Sequence, residues 1–287
     1  MRSVEYSEFH RYLNTRHFPL DSDRTTGRPS PQGRPLLSTL PRLCYTEGVR
    51  LKLNNLEKKL FSTPQPDLAW GALIASGGKN QVDLDSYLAK LNTLYQQVKS
   101  EIPAASELRI AGAFFDWLWH VKPNRCERQG SYRLTDVLDA QLDPKIEKVG
   151  NCLGLTVLYH ALAQRLGMKV KAIHVEDAFG QGPHVFSILY TGGGTIDIEH
   201  ILPNGFDFKG HLHNPGRTEW GEAELIADIY HSTGNKFFEQ SNHEEAVQNY
   251  SKAIRLNPKY TKAYLNRALA LFMLGRDKEA AKDLEQV

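Results

Sequence analysis

The feature that most constrains this chain is a period of 34 residues that starts near position 227. Four pairs of similar residues recur at that distance: Tyr230 and Tyr264, Phe237 and Leu271, Ala246 and Ala280, and Tyr250 and Leu284. A fixed period of this length indicates a supersecondary unit that buries its apolar face only by stacking on the next copy. The sequence therefore predicts two stacked copies of one unit over residues 223–287.

The residues inside one copy favour a helical hairpin. Alanines at 246 and 253 would let two helices approach closely, and Pro258 would end the second helix. The first copy matches the tetratricopeptide consensus at six positions: Gly234, Phe237, Ala246, Tyr250, Ala253 and Pro258. The second copy has Ala268 in place of the glycine, although Gly275 keeps the turn between its helices. The segment resembles tetratricopeptide repeats, which implies a protein or peptide partner.

Two copies are fewer than the three or more that such arrays need for stability. Either they pack on the preceding domain, or a natural C-terminal part has been lost. The resemblance also suggests a binding site for a peptide carboxylate, because Asn235 and Asn266 stand where some of these modules bind a carboxylate. His231 occupies a position that those modules give to lysine. The missing third copy argues against this site.

The composition excludes several classes of protein. Hydrophobic residues make up 41% and charged residues 24%, as in folded globular chains. The net charge of +2 comes with no basic stripe, and no apolar run approaches the roughly 20 residues that span a bilayer. Cys44, Cys126 and Cys152 are widely spaced and match no zinc pattern. We expect a cytoplasmic protein that binds neither nucleic acid nor membrane and that needs no cofactor or metal.

The stretch before the repeats divides into an arm and a domain. Residues 1–64 predict a partly disordered arm and linker, because positions 21–41 are dense in Pro, Gly, Ser and Arg. Residues 65–222 predict a mixed domain. Apolar residues recur at helical spacing over 84–98, 106–121 and 153–167, and strand-like segments follow at 169–175, 184–190 and 194–200. The predicted class is α+β, followed by a small all-α module.

Three residues of this domain could carry chemistry. Cys152 stands at a predicted helix start, where backbone N–H groups and the helix dipole favour a thiolate and can hold an oxyanion. His184 begins a strand, and Asp197 lies on the next strand, within reach if a bulge or twist shifts the hairpin register. Cys152 would then attack an acyl carbonyl, His184 would take its proton, and Asp197 would orient the imidazole.

The segments GNCLGLTVLYHALAQRLGMKVKAIHV, GPHVFSI and GTIDIE resemble the core of the transglutaminase-like superfamily, which has the papain-like cysteine proteinase fold. DLAWGALIASGGKNQVDLDSYLAKLNTLY resembles the helical front half of a bacterial branch whose members often end in tetratricopeptide repeats. The resemblance covers roughly residues 65–287. It implies Cys152 as nucleophile, His184 as base and Asp197 as orienting acid, for amide or peptide hydrolysis or acyl transfer. No upstream residue clearly matches a side-chain donor to the oxyanion. Gln129 and Gln141 are possible donors, but no motif singles out either one.

Each of these residues also has a structural explanation. Cys152 shares a helix face with Leu155 and Tyr159, and buried free cysteine is common as a small hydrophobe. Some members of the resembling branch lack the cysteine or histidine, so the alternative is an inactive scaffold whose repeats bind a partner. A metal could instead use carboxylates and histidines near the last strand: Asp197, Glu199, His200, His211 and His213. Their spacing matches no closed metal site, so we expect hydrogen-bonded or solvated histidines there.

Overall fold

In the described part of the chain, a run of helices precedes a group of four strands, and a second run of helices follows them. The computed structural model describes residues 45–46, 49–102 and 105–287. The helices are α1 (Asn55–Ser62), α2 (Leu68–Ala75), α3 (Gln81–Glu101), α4 (Glu107–Val121), α5 (Leu134–Leu142), α6 (Cys152–Arg165), α7 (Glu222–Glu239), α8 (His243–Leu256), α9 (Thr261–Met273) and α10 (Asp277–Leu284). The strands are β1 (Tyr45–Thr46), β2 (Val49–Arg50), β3 (Val170–Val175), β4 (His184–Thr191), β5 (Gly194–Ile198) and β6 (Thr218–Trp220).

Helix α1 lies inside the stretch that the composition predicts to be arm and linker. Its start is fixed by a capping box, in which Asn54 Oδ1 accepts from the Glu57 N–H at 2.9 Å and Glu57 Oε2 accepts from the Asn54 N–H at 3.0 Å. This reciprocal pair satisfies two backbone donors at the helix start. The arm predicted over residues 1–64 therefore contains an ordered helix at its end, and the predictions for residues 1–44 lie outside the described residues.

The central sheet has the strand order β5-β4-β3-β6, and each neighbouring pair is antiparallel. A two-residue turn at Gly192 and Gly193 joins β4 to β5, so that Thr191 pairs with Gly194 and Ile188 with Asp197. On the other side of β4, Val175 pairs with His184. This register decides which residue of the last strand can reach His184.

Helix α6 is the centre of the core. Every residue from Leu153 to Ala163 is buried, because α2 and α5 cover it on one side and β4 on the other. The Tyr159 ring stacks on the Phe114 ring of α4 at a centroid distance of 4.6 Å. The predicted apolar stripe is thus part of an all-round apolar surface, as expected for a buried helix.

The helical repeats pack on the rest of the molecule. Leu225, Ile226 and Ile229 of α7 belong to the same apolar core as Leu68 and Leu73 of α2. A Cβ on Gly71 would lie 2.4 Å from Ile226 Cδ1, so the close approach of these helices requires glycine. This contact explains how two copies can be stable without a third.

The sheet also contacts the repeats. The rings of His174 and Trp220 stack at 4.1 Å, and the Trp220 ring meets the Tyr260 ring edge-on at 5.4 Å. Lys262 Nζ lies 2.6 Å from the Glu176 carboxylate. The edge formed by β3 and β6 therefore covers part of the repeat surface next to α9.

The predicted α+β class with a helical C-terminal module is confirmed. Within the described part of the chain, no helix combines the length and the apolar character that crossing a membrane requires.

Candidate active site

Cys152 is the first residue of α6. The Asn151 side chain caps this helix by accepting from the Gly154 N–H at 3.1 Å. A Cβ on Gly154 would lie 2.4 Å from the Ser131 carbonyl oxygen, so glycine lets the preceding segment pass close to the helix start. Cys152 is half-buried and lines a cavity of about 370 Å³.

His184 begins β4, lines the same cavity as Cys152, and its imidazole interacts with the Cys152 side chain. Its Nε2 lies 2.7 Å from Glu199 Oε2, which leaves Nδ1 for the cysteine sulfur. Both side chains are buried, with only 7% of His184 and 1% of Glu199 exposed. The structure therefore places the imidazole between a thiol and a carboxylate.

The expectation that Asp197 contacts His184 is wrong. Asp197 pairs with Ile188 in the sheet, and its carboxylate binds Arg217 through two hydrogen bonds, Nη1 to Oδ2 at 2.6 Å and Nη2 to Oδ1 at 2.9 Å. The two-residue turn places Asp197 opposite Ile188, four residues away from His184 along β4. Glu199 lies past the end of β5, on the same side of the hairpin, and reaches the histidine instead.

A tight loop fixes Glu199. Its N–H donates to the Gly205 carbonyl at 2.8 Å, and its Oε1 accepts from the Ile201 N–H at 3.2 Å. A Cβ on Gly205 would lie 1.9 Å from the Glu199 carbonyl oxygen, so only glycine fits at this point of the loop. These backbone contacts fix the position of Glu199 independently of its hydrogen bonds to the histidines.

His211 is the second histidine on Glu199. Its Nε2 lies 3.0 Å from Glu199 Oε2, whereas its buried Nδ1 has no hydrogen-bond partner. The ring stacks on Phe186 at 4.6 Å. A neutral His211 that donates from Nε2 fits this environment, because an unpartnered N–H at Nδ1 would cost more than an unpartnered lone pair.

Asp197 supports this histidine from a distance. Arg217, which Asp197 holds by its two hydrogen bonds, also donates from Nη1 to the His211 carbonyl at 3.0 Å. The hydrogen bonds that Arg217 donates to Asp197 raise the pKa of Arg217 above its ordinary value. Asp197 therefore fixes the backbone that presents His211 to Glu199, rather than the imidazole that faces Cys152.

In this cluster, burial and hydrogen bonding shift the pKa values of His184 and Glu199 in opposite directions. Burial lowers the pKa of His184, but hydrogen bonds to Cys152 and Glu199 outweigh it and raise the pKa to about 10. Burial raises the pKa of Glu199, but hydrogen bonds from His184 and His211 lower it to about 2. At neutral pH the pair is thus an imidazolium and a carboxylate.

A second thiol lines the same cavity. Burial raises the pKa of Cys126 to about 11, and the negative charges of Cys152 and Glu199 add to this effect. Cys126 is therefore a neutral thiol at pH 7 and provides an internal comparison for Cys152.

The two glutamines considered as oxyanion donors do not line this cavity. Gln129 is exposed, and Gln141 lines a different cavity beside Lys122. Asn151 accepts the N–H groups of Gly154 and Leu155 through its side chain and its carbonyl. The earlier N–H groups of the first turn of α6 are therefore the candidate donors to an oxyanion.

Three of these side chains also form a group with metal-ligand chemistry. The ligand atoms of His184, Glu199 and His211 all lie within 4.8 Å of one another. Both imidazoles contact the same carboxylate oxygen at hydrogen-bond distances. These hydrogen bonds explain why the three side chains lie close together, so no metal ion is needed to account for it. Of the other residues considered for a metal, Asp197 is bound to Arg217 and His200 to Ser187.

The residues considered for a peptide-carboxylate site in the repeats bind one another. Asn266 Nδ2 donates to Asn235 Oδ1 at 2.9 Å and contacts His231 Nε2 at 3.0 Å. His231 Nδ1 lies 3.1 Å from the Tyr260 hydroxyl, which donates to Asp228 at 2.6 Å. A peptide carboxylate would have to replace some of these contacts.

Comparisons with known proteins identify the C-terminal part. A family model described as TPR repeat matches residues 234–275. Hsp70-Hsp90 organizing protein 1 of Glycine max is 43% identical over 61 residues, which cover 21% of this chain and 11% of that protein. DnaJ homolog subfamily C member 7 of Homo sapiens is 40% identical over 65 residues, which cover 23% of this chain and 13% of that protein. The predicted tetratricopeptide repeat is confirmed.

These curated relatives are much longer than the similarity to them. The chain spans little more than a tenth of the length of either one. The matched family model does not reach the cavity residues, which lie between Cys126 and His211. No solved structure is significantly similar to the chain.

Proposed function

We propose that this protein carries out acyl-group chemistry at Cys152 and that its tetratricopeptide repeats bind a protein partner. The observation that carries the first part is the position of His184, which is hydrogen-bonded to Glu199 and lines the same open cavity as Cys152. Nucleophile, base and orienting acid in this order are the arrangement that activates a thiol.

In the proposed reaction the Cys152 thiolate attacks the carbonyl carbon of an amide, a peptide or an ester. The first-turn N–H groups of α6 stabilise the tetrahedral oxyanion. The carbon–nitrogen or carbon–oxygen bond then breaks, and the leaving group takes a proton from the His184 imidazolium. Attack by water on the thioester, with the proton passing to His184, gives hydrolysis, and attack by an amine gives acyl transfer.

The roles of the four polar residues follow from their contacts. Cys152 is the proposed nucleophile, and His184 the acid and base. Glu199 orients the imidazole and keeps it protonated, and His211 positions Glu199. Asp197, the orienting acid expected from the resemblance to the transglutaminase-like superfamily, has the more distant role of fixing Arg217 and the backbone of His211. A papain-like core of that superfamily remains part of the proposal, supported by the order of Cys152 and His184 along the chain.

The partner of the repeats is the second part of the proposal. The two relatives described above carry co-chaperone names, which supports a protein–protein contact by this module. The side chains around Asn235 and Asn266 already bind one another, and the sheet edge covers the surface near Tyr260.

Turnover of 4-nitrophenyl acetate tests the catalytic part. We expect wild-type protein to release 4-nitrophenolate and to form an acetyl adduct on Cys152, detected by mass spectrometry of the intact protein. Cys152→Ala should show neither, whereas Cys126→Ala should retain both. If the two cysteine variants behave alike, the proposed chemistry is wrong and the scaffold alternative takes its place. Added glycine amide then separates the reactions, since acyl transfer gives N-acetylglycinamide and hydrolysis gives acetate.

A further inference from the structure

The loop between β3 and β4 holds an aromatic residue in an unusual conformation. Phe179 has a φ of 55°, in the left-handed region that bulky residues rarely adopt. Its side chain is also 67% exposed, so burial does not compensate for the strain. Strained residues of this kind cluster at functional sites, where the surrounding structure enforces them.

The loop enforces this conformation from within. Both oxygens of the Asp177 carboxylate accept backbone N–H groups, from Gly180 at 3.1 Å and from Gly182 at 2.8 Å. The Ala178 N–H donates to the Gly182 carbonyl at 2.9 Å. Phe179 lies at the tip of the turn that these bonds close.

Two neighbouring segments hold the loop from outside. Arg128 donates to the Gln181 side chain at 2.6 Å and to the Gln181 carbonyl at 2.9 Å. Asn214 Nδ2 donates to the Asp177 carbonyl at 2.8 Å. The position of the exposed ring is therefore fixed relative to the cavity.

Phe179 stands beside the candidate active site. Its ring centroid lies 4.8 Å from that of His211, and the Phe208 ring lies 5.3 Å from the same histidine. A Cβ on Gly210 would lie 2.5 Å from the Phe208 ring and 3.1 Å from Phe179 Cζ, so glycine allows both rings to approach. Together with Ile201 and Leu202 they form the apolar side of the cavity that Cys152 lines.

We propose that this apolar rim, formed by Phe179, Ile201, Leu202 and Phe208, binds a large aliphatic or aromatic side chain of the acyl donor. The inference rests on the proposed function at Cys152 and names its substrate class. A polar side chain there would lose its hydration without gaining a charged partner. Among the described residues that line the cavity, Arg128 is the only charged one outside the catalytic cluster, and it is hydrogen-bonded to Gln181. The acyl group enters the thioester with its carbonyl at Cys152 and its apolar chain against Phe179.

The experiment compares two esters that share a leaving group. Wild-type protein should have a kcat/KM for 4-nitrophenyl hexanoate at least about tenfold above that for the acetate, because each buried methylene contributes up to about fourfold. Phe179→Asn should reduce this ratio to about threefold or less, because it removes the ring while asparagine tolerates the left-handed conformation. Val82→Asn, at a 77% exposed apolar residue of α3, is the matched control and should keep the wild-type ratio.

Binding to Cys152→Ala separates the subsite from catalysis. Hexanamide should shift NMR signals of residues around Phe179 and bind more tightly than acetamide, and Phe179→Asn should abolish that difference. If hexanamide binds in this way but no ester is turned over through Cys152, the rim stands and the proposed function is wrong. If turnover depends on Cys152 but the wild-type and Phe179→Asn ratios are equal, the rim is wrong and the proposed function stands.

Discussion

Strand β4 contributes residues to two histidine clusters, which differ in their surroundings and in the pKa values of their histidines. The cavity cluster consists of Cys152, His184, Glu199 and His211. The core cluster consists of Ser187 with His160 and His200, whose Nε2 atoms lie 2.9 and 2.6 Å from the Ser187 hydroxyl. Both clusters place a histidine next to a nucleophilic side chain, and the residues of the first line the cavity described above, whereas those of the second are buried in the core.

The pKa values of the histidines separate the two clusters. Burial lowers the pKa of His160 to about 3 and that of His200 well below its ordinary value, because no carboxylate is hydrogen-bonded to either ring. His184 is buried as well, but its hydrogen bonds to Cys152 and Glu199 raise its pKa to about 10. The comparison shows that the partners of a buried histidine, more than its burial, decide its charge. The core cluster is a neutral packing element.

The largest expected effect is on the reactivity of Cys152. His184→Ala should slow alkylation of Cys152 by iodoacetamide at pH 7 by roughly 100-fold, because the thiolate loses its counter-ion. His160→Asn, the matched change in the core cluster, should alter the rate by less than about twofold. Peptide-resolved mass spectrometry measures Cys152 separately from Cys126. Equal rates in the two variants would remove the distinction between the clusters.

The next effect distinguishes Glu199 from Asp197 as the orienting acid. Glu199→Gln should slow the same alkylation roughly tenfold, because the neutral amide no longer stabilises the imidazolium. Asp197→Asn should slow it about threefold at most, since it acts only through Arg217 and the His211 backbone. The reverse order of the two rates would restore Asp197 to the role that the sequence resemblance gave it.

Stability should depend on pH in opposite ways for His184 and His160. His184 has a raised folded pKa, so its contribution is complete below about pH 6.5 and is lost as pH rises through about 10. Glu199 has a lowered folded pKa, so its contribution is present above about pH 4.5 and is lost as pH falls through about 2. His160 has a lowered folded pKa, so its contribution is present above about pH 6.5 and is lost as pH falls toward about 3.

Urea unfolding at a series of pH values measures these slopes. Each titrating group changes the free energy of unfolding by about 1.4 kcal/mol per pH unit inside its window. His160→Asn should flatten the slope between pH 6.5 and 4, and Glu199→Gln should flatten the slope between pH 7 and 9. If His160→Asn flattened the alkaline slope instead, the assignment of charges to the two clusters would be reversed.

The smallest effect concerns His211. Since it positions Glu199 without facing Cys152, His211→Gln should slow alkylation only about twofold to threefold, because glutamine can still donate to the carboxylate. His211→Leu removes the donor and should slow it further. Equal rates for the two variants would mean that packing against Phe186, and not the hydrogen bond, is the contribution of this side chain.

Local sequence patterns were sufficient for helices α3, α4 and α6 and for strands β3, β4 and β5. The helix that begins at Cys152 and the strand that begins at His184 follow from apolar periodicity. The repeat follows from its period and matches the family model. Each of these features depends on residues that are near one another along the chain.

The missed features depend on contacts between distant residues or on a single step of register. A two-residue turn at Gly192 and Gly193 places Glu199, and not Asp197, against His184. Gly71 gives no local signal for its contact with Ile226, which joins the repeats to the core. The capping box at Asn54 and Glu57 is visible in the sequence and could have predicted α1.

The charge of His184 is the most direct test of this account. Titration of wild-type protein with ¹⁵N-labelled histidine, followed by NMR, should show His184 losing its proton near pH 10, and Glu199→Gln should lower that midpoint by at least about one unit. His160 should remain neutral throughout the range above pH 5. A His184 midpoint at or below about 6.5 would show that the cavity cluster is as neutral as the core cluster, and the proposed thiolate–imidazolium pair would then be wrong.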